Sequence, residues 1–364
     1  MSQKKVVKRA RGSLSKNEQK VLYALIRYPT YSDTDLAEEL DLAQSTVTTI
    51  RHRLCESGAY KDLWIPMLNR SGCELLVLIH TNFNPVIPVE ERAPKTRKTI
   101  EIFDEIFFSI GETQKGFSMS MAKDYTAVGK INDVRTQTFA GMDLLEREYP
   151  REIIFPFELT TIHRFFNFAP YLEKHLGLGE GWGDNQEIEF PKEPAKLTDT
   201  DRKVYMALVD NPEDRDGEIG KRLDMSRHTV ALHRKRLEGE HIVRARIPDM
   251  KLVGANIMVF HHVKFNPYHD LATSVDKELA PLLSPYAVFM VSRKYEMLRI
   301  CIYPSYDMYK KDKNHMMSYL HKRNLLAEYP LSRLFVLDDS IIIKDFSFAP
   351  LVHKILERDG EDAK

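Results

Sequence analysis

The sequence predicts an α+β chain in which a three-helix unit and a βαββαβ sheet unit each occur twice in tandem. Three observations predict it. Stretches of the first half recur, in order, in the second. Each half opens with helix-start signals followed by three short helical patterns. Each half ends in strand-length apolar runs broken by two amphipathic helical stretches, the pattern of a mixed layered fold.

The repeat comes first, because it changes how every other feature is read. "LSKNEQKVLYALIRYP" from Leu14 answers "LTDTDRKVYMALVDNP" from Leu197. "LAEELDL" answers "IGKRLDM", "TVTTIRHRL" answers "TVALHRKRL", "HTNFNP" answers "HVKFNP", and "FNFAP" answers "FSFAP". Leu14 against Leu197 sets an offset of 183, and Phe166 against Phe346 one of 180. Small indels absorb that drift, so the chain reads as a tandem duplication. The expected organisation is a basic arm (1–13), a helix-turn-helix domain (14–72), a sheet domain (73–176) and a Gly-, Pro- and acid-rich linker (177–196). A second helix-turn-helix domain (197–254), a second sheet domain (255–356) and a tail (357–364) follow.

Taken in order, each half opens with an N-cap and its acidic partner three residues on: Ser15 with Glu18, Thr198 with Asp201. Val21, Leu22 and Leu25 follow at helical spacing, as do Val204, Tyr205 and Leu208, until Pro29 and Pro212 stop the helix. Leu36 with Leu40, and Ile219 with Leu223, mark a short second helix, capped in the first half by Ser32 with Asp35. A brief turn leads to a third helix near 44–57 and 227–240. Three short helices with a tight turn before the last make a helix-turn-helix. "WIP" and "RIP" then suggest a strand or wing, with turns ending at Gly72 and Gly254.

The third helix carries the densest charge. "SRHTVALHRKRL" holds Arg227, Arg234, Lys235 and Arg236, although the chain balances 53 Lys+Arg against 53 Asp+Glu. Zero net charge excludes a protein that is basic all over, but not a local basic patch. At 100° per residue, Val47, Ile50 and Leu54 face inward, as do Val230, His233 and Leu237. The opposite side carries Ser45, Thr48, Thr49 and His52, or His228, Ala231, Leu232 and Lys235. An α-helix fits the DNA major groove with its N-terminal residues at the base edges. Gln44, Ser45, Thr48, Arg227, His228 and Ala231 are therefore the expected base readers, with Thr49 and His52 on the same face. Arg51, Arg53, Arg234, Lys235 and Arg236 are the expected phosphate contacts. Double-stranded DNA is the expected partner, with unlike half-sites because Gln44/Ser45 differ from Arg227/His228. Ser226 can cap its helix and Ala43 cannot, a difference of about 1 kcal/mol.

The rest of each half supplies strands. "CELLVLIHTNF" and "ANIMVFHHVKF" are followed by helical stretches near 88–104 and 268–283. A hairpin, a longer amphipathic helix (126–147 and 306–327) and a last strand ("EIIFPFELTTI", "RLFVLDDSIII") complete βαββαβ, a ferredoxin-like sandwich. Its helix-free face needs a cover, often a second sheet. A helix-turn-helix, a linking strand with Pro and Gly, and such a sheet together resemble the Lrp/AsnC (feast/famine) transcription regulators; "HTVALHRKRLEGEHIVRARIPDMKLVGANIMVFHHVKFNP" is the stretch most similar to them. The resemblance implies a sequence-specific regulator that dimerises through its sheet domains and senses a small effector there. A fused pair implies a homodimer or an intramolecular pseudo-dimer. The turns "GETQKG" (111–116) and "SRKYEM" (292–297) depart from the family's glycine-containing turn, so no effector-binding residue is assigned.

Cys55, Cys73 and Cys301 lack metal-ligand spacing and read as reduced thiols of a cytoplasmic chain. No metal site, catalytic residue or cofactor is expected, and the chain is read as not being an enzyme. No apolar run approaches the roughly 20 residues of a membrane span. "GLGEGWG" (177–183) imitates a phosphate loop without the strand-to-helix setting. His80 and His262 occupy equivalent strand positions, with His261 adjacent and His163 just beyond a last strand. Paired histidines on an open sheet face are the feature behind the alternative: a haem- or tetrapyrrole-handling enzyme resembling the sirohaem decarboxylases, which pair Lrp-like units.

Overall fold

A computed structural model describes residues 14–178, 196–268 and 279–361. The basic arm, most of the expected linker, and most of the second-half helix expected at 268–283 lie outside these residues.

Each half begins with three helices. In the first they are α1 (Lys16–Arg27), α2 (Asp33–Leu40) and α3 (Gln44–Glu56). Reciprocal capping boxes at Ser15/Glu18 and Ser32/Asp35 satisfy the backbone donors that open α1 and α2. Asp41 then turns the chain in a left-handed conformation, which short polar residues tolerate best after glycine. The second half matches with α7 (Asp199–Asp210), α8 (Asp216–Leu223) and α9 (Arg227–Leu237), and Asp224 makes the same left-handed turn. Ser226 accepts the Thr229 N–H and caps α9, whereas Ala43 gives α3 no side-chain cap. The first three helices bury Val21, Leu25, Leu36, Val47 and Leu54, the second three Val204, Leu208, Ile219, Val230 and Leu237, and both sets belong to one continuous core.

The strand after each third helix finds its partner in the opposite half. β1 (Tyr60–Pro66) pairs antiparallel with β7 (Ile242–Pro248), from Tyr60↔Pro248 to Pro66↔Ile242. At its centre Asp62 accepts from Arg246 Nε at 2.9 Å and Arg244 Nη2 at 3.1 Å, and Arg246 also donates to the Leu25 carbonyl. This ribbon fixes the two helical units to each other.

Two five-stranded sheets form the body. The first half contributes β2 (Leu75–Asn82), β3 (Ile106–Gly111), β4 (Lys115–Ala122) and β5 (Arg151–Pro156), backed by α4 (Val89–Glu101) and α5 (Tyr125–Gly141). The second contributes β8 (Ile257–Lys264), β9 (Ala287–Arg293), β10 (Glu296–Tyr303) and β11 (Leu331–Val336), backed by α10 (Tyr306–Lys322). The expected α+β class with helix-turn-helix and ferredoxin-like parts is the one observed.

One detail differs. The last strand of each half was expected to be single. It breaks after Pro156 and again after Val336, and the remainder crosses over. β6 (Thr161–Arg164) joins the second sheet, in the order β11-β8-β10-β9-β6, while β12 (Ile341–Lys344) joins the first, in the order β12-β3-β4-β2-β5. Proline cannot donate to a sheet ladder, so the run ends there and a 3-10 turn, Phe157–Leu159, redirects it. The exchanged strands lead into α6 (Ala169–Leu176) and α11 (Ala349–Glu361).

The helix-free faces of the sheets cover each other with aromatic rings. Phe117 packs on Phe260 and Phe335 at 5.4 and 5.2 Å, and Phe107 stacks on Phe348 at 4.7 Å. Phe166 and Phe346, at the crossovers, meet edge-on at 4.6 Å. Both have positive φ (48° and 38°), a conformation that costs about 1–3 kcal/mol for such a residue and persists only where packing dictates it.

Candidate functional site

Two groups of side chains are disposed for recognition or chemistry. The first lies on the outer faces of α3 and α9. Gln44, Ser45, Thr49 and His52 are exposed there, as are Arg227, His228 and Lys235, while Thr48 and Ala231 are half-buried. Thr48 donates to Asp33 at 2.7 Å and Thr49 to the Ser45 carbonyl at 2.8 Å. The arginines common to both halves are engaged internally. Arg51 lies 3.1 Å from Asp33, and its counterpart Arg234 lies 2.7 Å from Asp216. Arg53 lies 3.0 Å from Glu18, and its counterpart Arg236 lies 3.2 Å from Asp201. Arg234 has a second acid, Glu238; its hydrogen bonds to Asp216 and Glu238 outweigh burial and raise its pKa.

The sequence thus repeats a pair of clamps that tie the third helix to the first and second. These guanidinium groups are partly exposed, so each pair contributes only ~0–1 kcal/mol. Among the described residues no acid pairs with Arg227 or Lys235. The two faces therefore differ: the second half offers free cations, and the first offers Gln44, Ser45 and His52. His233 sits half-buried behind this face with Nδ1 2.8 Å from Asp201.

The second group lies on the inner sheet faces. β2 alternates Ile79, toward the helices, with His80, toward the opposite sheet, where its ring is 5.7 Å from Phe260. β8 alternates likewise, so His262 faces inward and His261 toward α10, stacked on Tyr309. Arg151 is the register partner of His80 on the edge strand β5. Arg333 is on β11, the edge of the other sheet.

His80 is buried, and no hydrogen bond to its ring is found among the described residues. Burial, then the charges of Arg333, Arg151 and His262, push its pKa down to about 4. His262 is treated differently: its Nε2 is 2.6 Å from Glu296, which Arg293 also pairs. Burial pushes Glu296 up, but those two partners hold its carboxyl below the usual range. The buried Nε of Arg333 has no hydrogen-bond partner. Arg151 is paired with Glu148 at 3.4 Å at the exposed end of the corner, so the corner has one spare donor, on Arg333, and one uncharged imidazole, which suits a carboxylate-bearing ligand. Sequence reasoning found the histidines through the repeat. It missed Arg151, Arg333, Arg293 and Glu296, because nothing in their spacing tells that the inner faces of the two sheets meet.

The other two strand histidines are structural partners. His163 Nε2 lies 2.7 Å from Ser292 across the β6–β9 pairing, and His261 Nδ1 lies 2.8 Å from Ser332. Cys55, Cys73 and Cys301 are all free thiols. Among the described residues no group of His, Cys, Asp and Glu is placed to hold a metal ion. Among them, too, no helix is long and apolar enough to cross a membrane.

No protein-family model matches the chain, and none of the curated proteins matches it. Solved structures do. The siroheme decarboxylase NirDL aligns over 94% of this chain and 100% of its own, at 10% identity and a TM-score of 0.49. E. coli AsnC aligns over 40% of this chain and 93% of its own, at 14% identity and a TM-score of 0.31. A transcriptional regulator from Neisseria meningitidis, in complex with L-Met, covers 39% of this chain and 90% of its own, at 14% identity and a TM-score of 0.31. These are likenesses of fold. The expectation that the chain is not an enzyme is corrected to this extent: a structure that aligns over nearly its whole length is that of an enzyme, and those of the two regulators align over about two-fifths of it.

Proposed function

We propose that the chain is an enzyme acting on a tetrapyrrole that carries carboxylate side chains, at the inner-face corner around His80. The chemistry proposed is removal of a carboxylate. The observation that carries this reading is the setting of His80: buried, uncharged and within the field of Arg333 and Arg151, beside an aromatic floor of Phe117, Phe260 and Phe335. In a decarboxylation the C–C bond to the carboxylate breaks, CO2 leaves, and a proton takes its place on carbon. That reaction needs cations to hold the carboxylates and an acid to give the proton.

His80 starts neutral because it is buried and, beyond that, because its neighbours are positive. A carboxylate docking on Arg151 and Arg333 cancels that field and favours a proton on His80, so the acid is charged by the arrival of the substrate. His262, already tied to Glu296, is the positioning member of the pair. The test is a titration of the purified chain with an iron tetrapyrrole bearing acetate groups. A Soret shift and release of CO2 are expected for the native chain, with both lost in His80→Ala. A native chain that shifts no tetrapyrrole spectrum overturns the reading.

The exposed faces of α3 and α9 favour a second reading, sequence-specific binding of double-stranded DNA by a regulator whose two helical units the β1–β7 ribbon holds in place. In this reading Arg227, His228 and Lys235 make the main contacts. Gln44, Ser45, Thr48, Thr49, His52 and Ala231 read or line the groove. Arg51, Arg53, Arg234 and Arg236 position the helices through their acid partners. The Arg227→Ala/Lys235→Ala variant should lose affinity for duplex DNA and flatten its salt dependence by about two phosphate contacts; unchanged affinity and slope refute it.

A further inference from the structure

A cavity of ≈ 10 Å³, taken as the space open to the centre of a water molecule, lies in the first half between α4, α5, β3 and β4. Arg92, Thr96, Ser109 and Arg135 supply its polar walls, and Gly111 and Gly116 its floor. Arg135 is 3% exposed. Its Nη1 donates to Ser118 at 2.8 Å, but its Nε has no hydrogen-bond partner, and neither has the buried hydroxyl of Thr96. Arg92 donates to the carbonyls of Glu112 and Thr113 and lies 3.6 Å from the centre of the Phe83 ring. Among the described residues no carboxylate pairs with either guanidinium group. Burial lowers both pKa values to about 10, so both remain charged at neutral pH.

The second half shows what this place looks like when its charge is compensated. In β10, Arg299 stands where β4 has Ser118, and it is paired by Asp312 from α10. Met316 stands on α10 where α5 has Arg135, and packs in an apolar cluster. One half thus supplies its own anion, and the other has buried cations with donors left over. An uncompensated buried charge is too costly to be left to one water molecule, which satisfies a hydrogen bond but no charge.

We propose that this cavity is a binding site for a small inorganic anion of halide size, held by the Nε–H of Arg135 and the hydroxyl of Thr96. The size follows from the volume, which admits roughly one water-sized species and excludes an organic carboxylate. The site is separate from the inner-face corner, since it lies on the helix side of the first sheet.

Two measurements test it. Crystals of the full chain soaked in sodium bromide should show an anomalous bromine peak inside the cavity, absent in Arg135→Met, which copies Met316. The melting temperature of the native chain should climb with the logarithm of chloride or bromide concentration. It should not climb with gluconate, too large for the cavity, at matched ionic strength. Arg135→Met should show no halide-specific rise. If that variant does not fold, Thr96→Val should fold and show a weakened rise. A native chain with no bromine peak in the cavity, or with equal responses to halide and gluconate, overturns the proposal.

Discussion

Replacing Asp62 with Ala tests how the two helical units are joined. Asp62 and Arg246 are 8% and 4% exposed, and the carboxylate is the acceptor for two guanidinium groups from the facing strand. Its removal strands Arg246 with the Leu25 carbonyl and the face of the Tyr60 ring, and leaves Arg244 over the Trp64 ring. Breaking a buried pair by removing one partner costs about 3–5 kcal/mol. Arg244 is partly open to water, so the low end, about 3 kcal/mol, is expected.

The partner variant separates a stranded charge from lost packing. Asp62→Ala/Arg246→Met removes the two most buried charges; it leaves the Leu25 carbonyl short of a donor, a loss of about 1–2 kcal/mol, and Arg244, partly open to water, without its acid. Urea unfolding followed by the fluorescence of Trp64, buried on the same strand, reads all the variants. The double variant should be more stable than Asp62→Ala alone. Losses that simply add, or an Asp62→Ala loss under about 1 kcal/mol, refute the account.

Two further predictions concern the caps and pH. Ala43→Ser should gain about 1 kcal/mol and Ser226→Ala should lose about as much in urea unfolding, because the backbone at both positions is already extended for capping. The folded pKa of His80, about 4, lies below the unfolded value of about 6.5. Its contribution is complete above pH 6.5 and is lost as pH falls toward 4, by about 3 kcal/mol at 1.36 kcal/mol per pH unit. His80→Leu should lose correspondingly less stability between pH 7 and pH 4.

What could be read from the sequence was whatever the local chain dictates. The capping boxes at Ser15, Ser32 and Thr198, the missing cap at Ala43 and the inward faces of α3 and α9 follow from spacing alone. The charged side of those helices was found but incompletely understood. The acids on the first two helices that hold Arg51, Arg53, Arg234 and Arg236 stand 18 or 35 positions earlier in the chain, on helices whose approach the sequence does not state. The exchanged strands were read as single ones for the same reason. A period-2 apolar pattern says which side chains share a face, not which sheet the strand joins. The His80 corner and the Arg135 cavity depend on contacts between sheets and between helix and sheet, so the sequence shows only the paired histidines of the first and nothing of the second.

The two halves differ most informatively around the paired histidines. His262 has a carboxylate because Glu296 stands at the start of β10. At the matching start of β4 stands Lys115, paired with Glu112 at 2.7 Å, where the second half has Glu296 paired with Arg293. The two ion pairs are mirror images in charge, and that reversal denies His80 a partner. Copying the second half, with Glu112→Arg and Lys115→Glu made together, keeps an ion pair at the hairpin and places a carboxylate beside His80. The His80 pKa should then rise, visible as a titration of its ring protons by NMR well above the native value of about 4. If His80 serves by gaining its proton from the arrival of a substrate carboxylate, this variant should also bind a tetrapyrrole carboxylate less tightly, because its own glutamate already occupies that role. A raised pKa with undiminished binding would separate the electrostatic account of His80, which would stand, from the proposed use of that histidine, which would not.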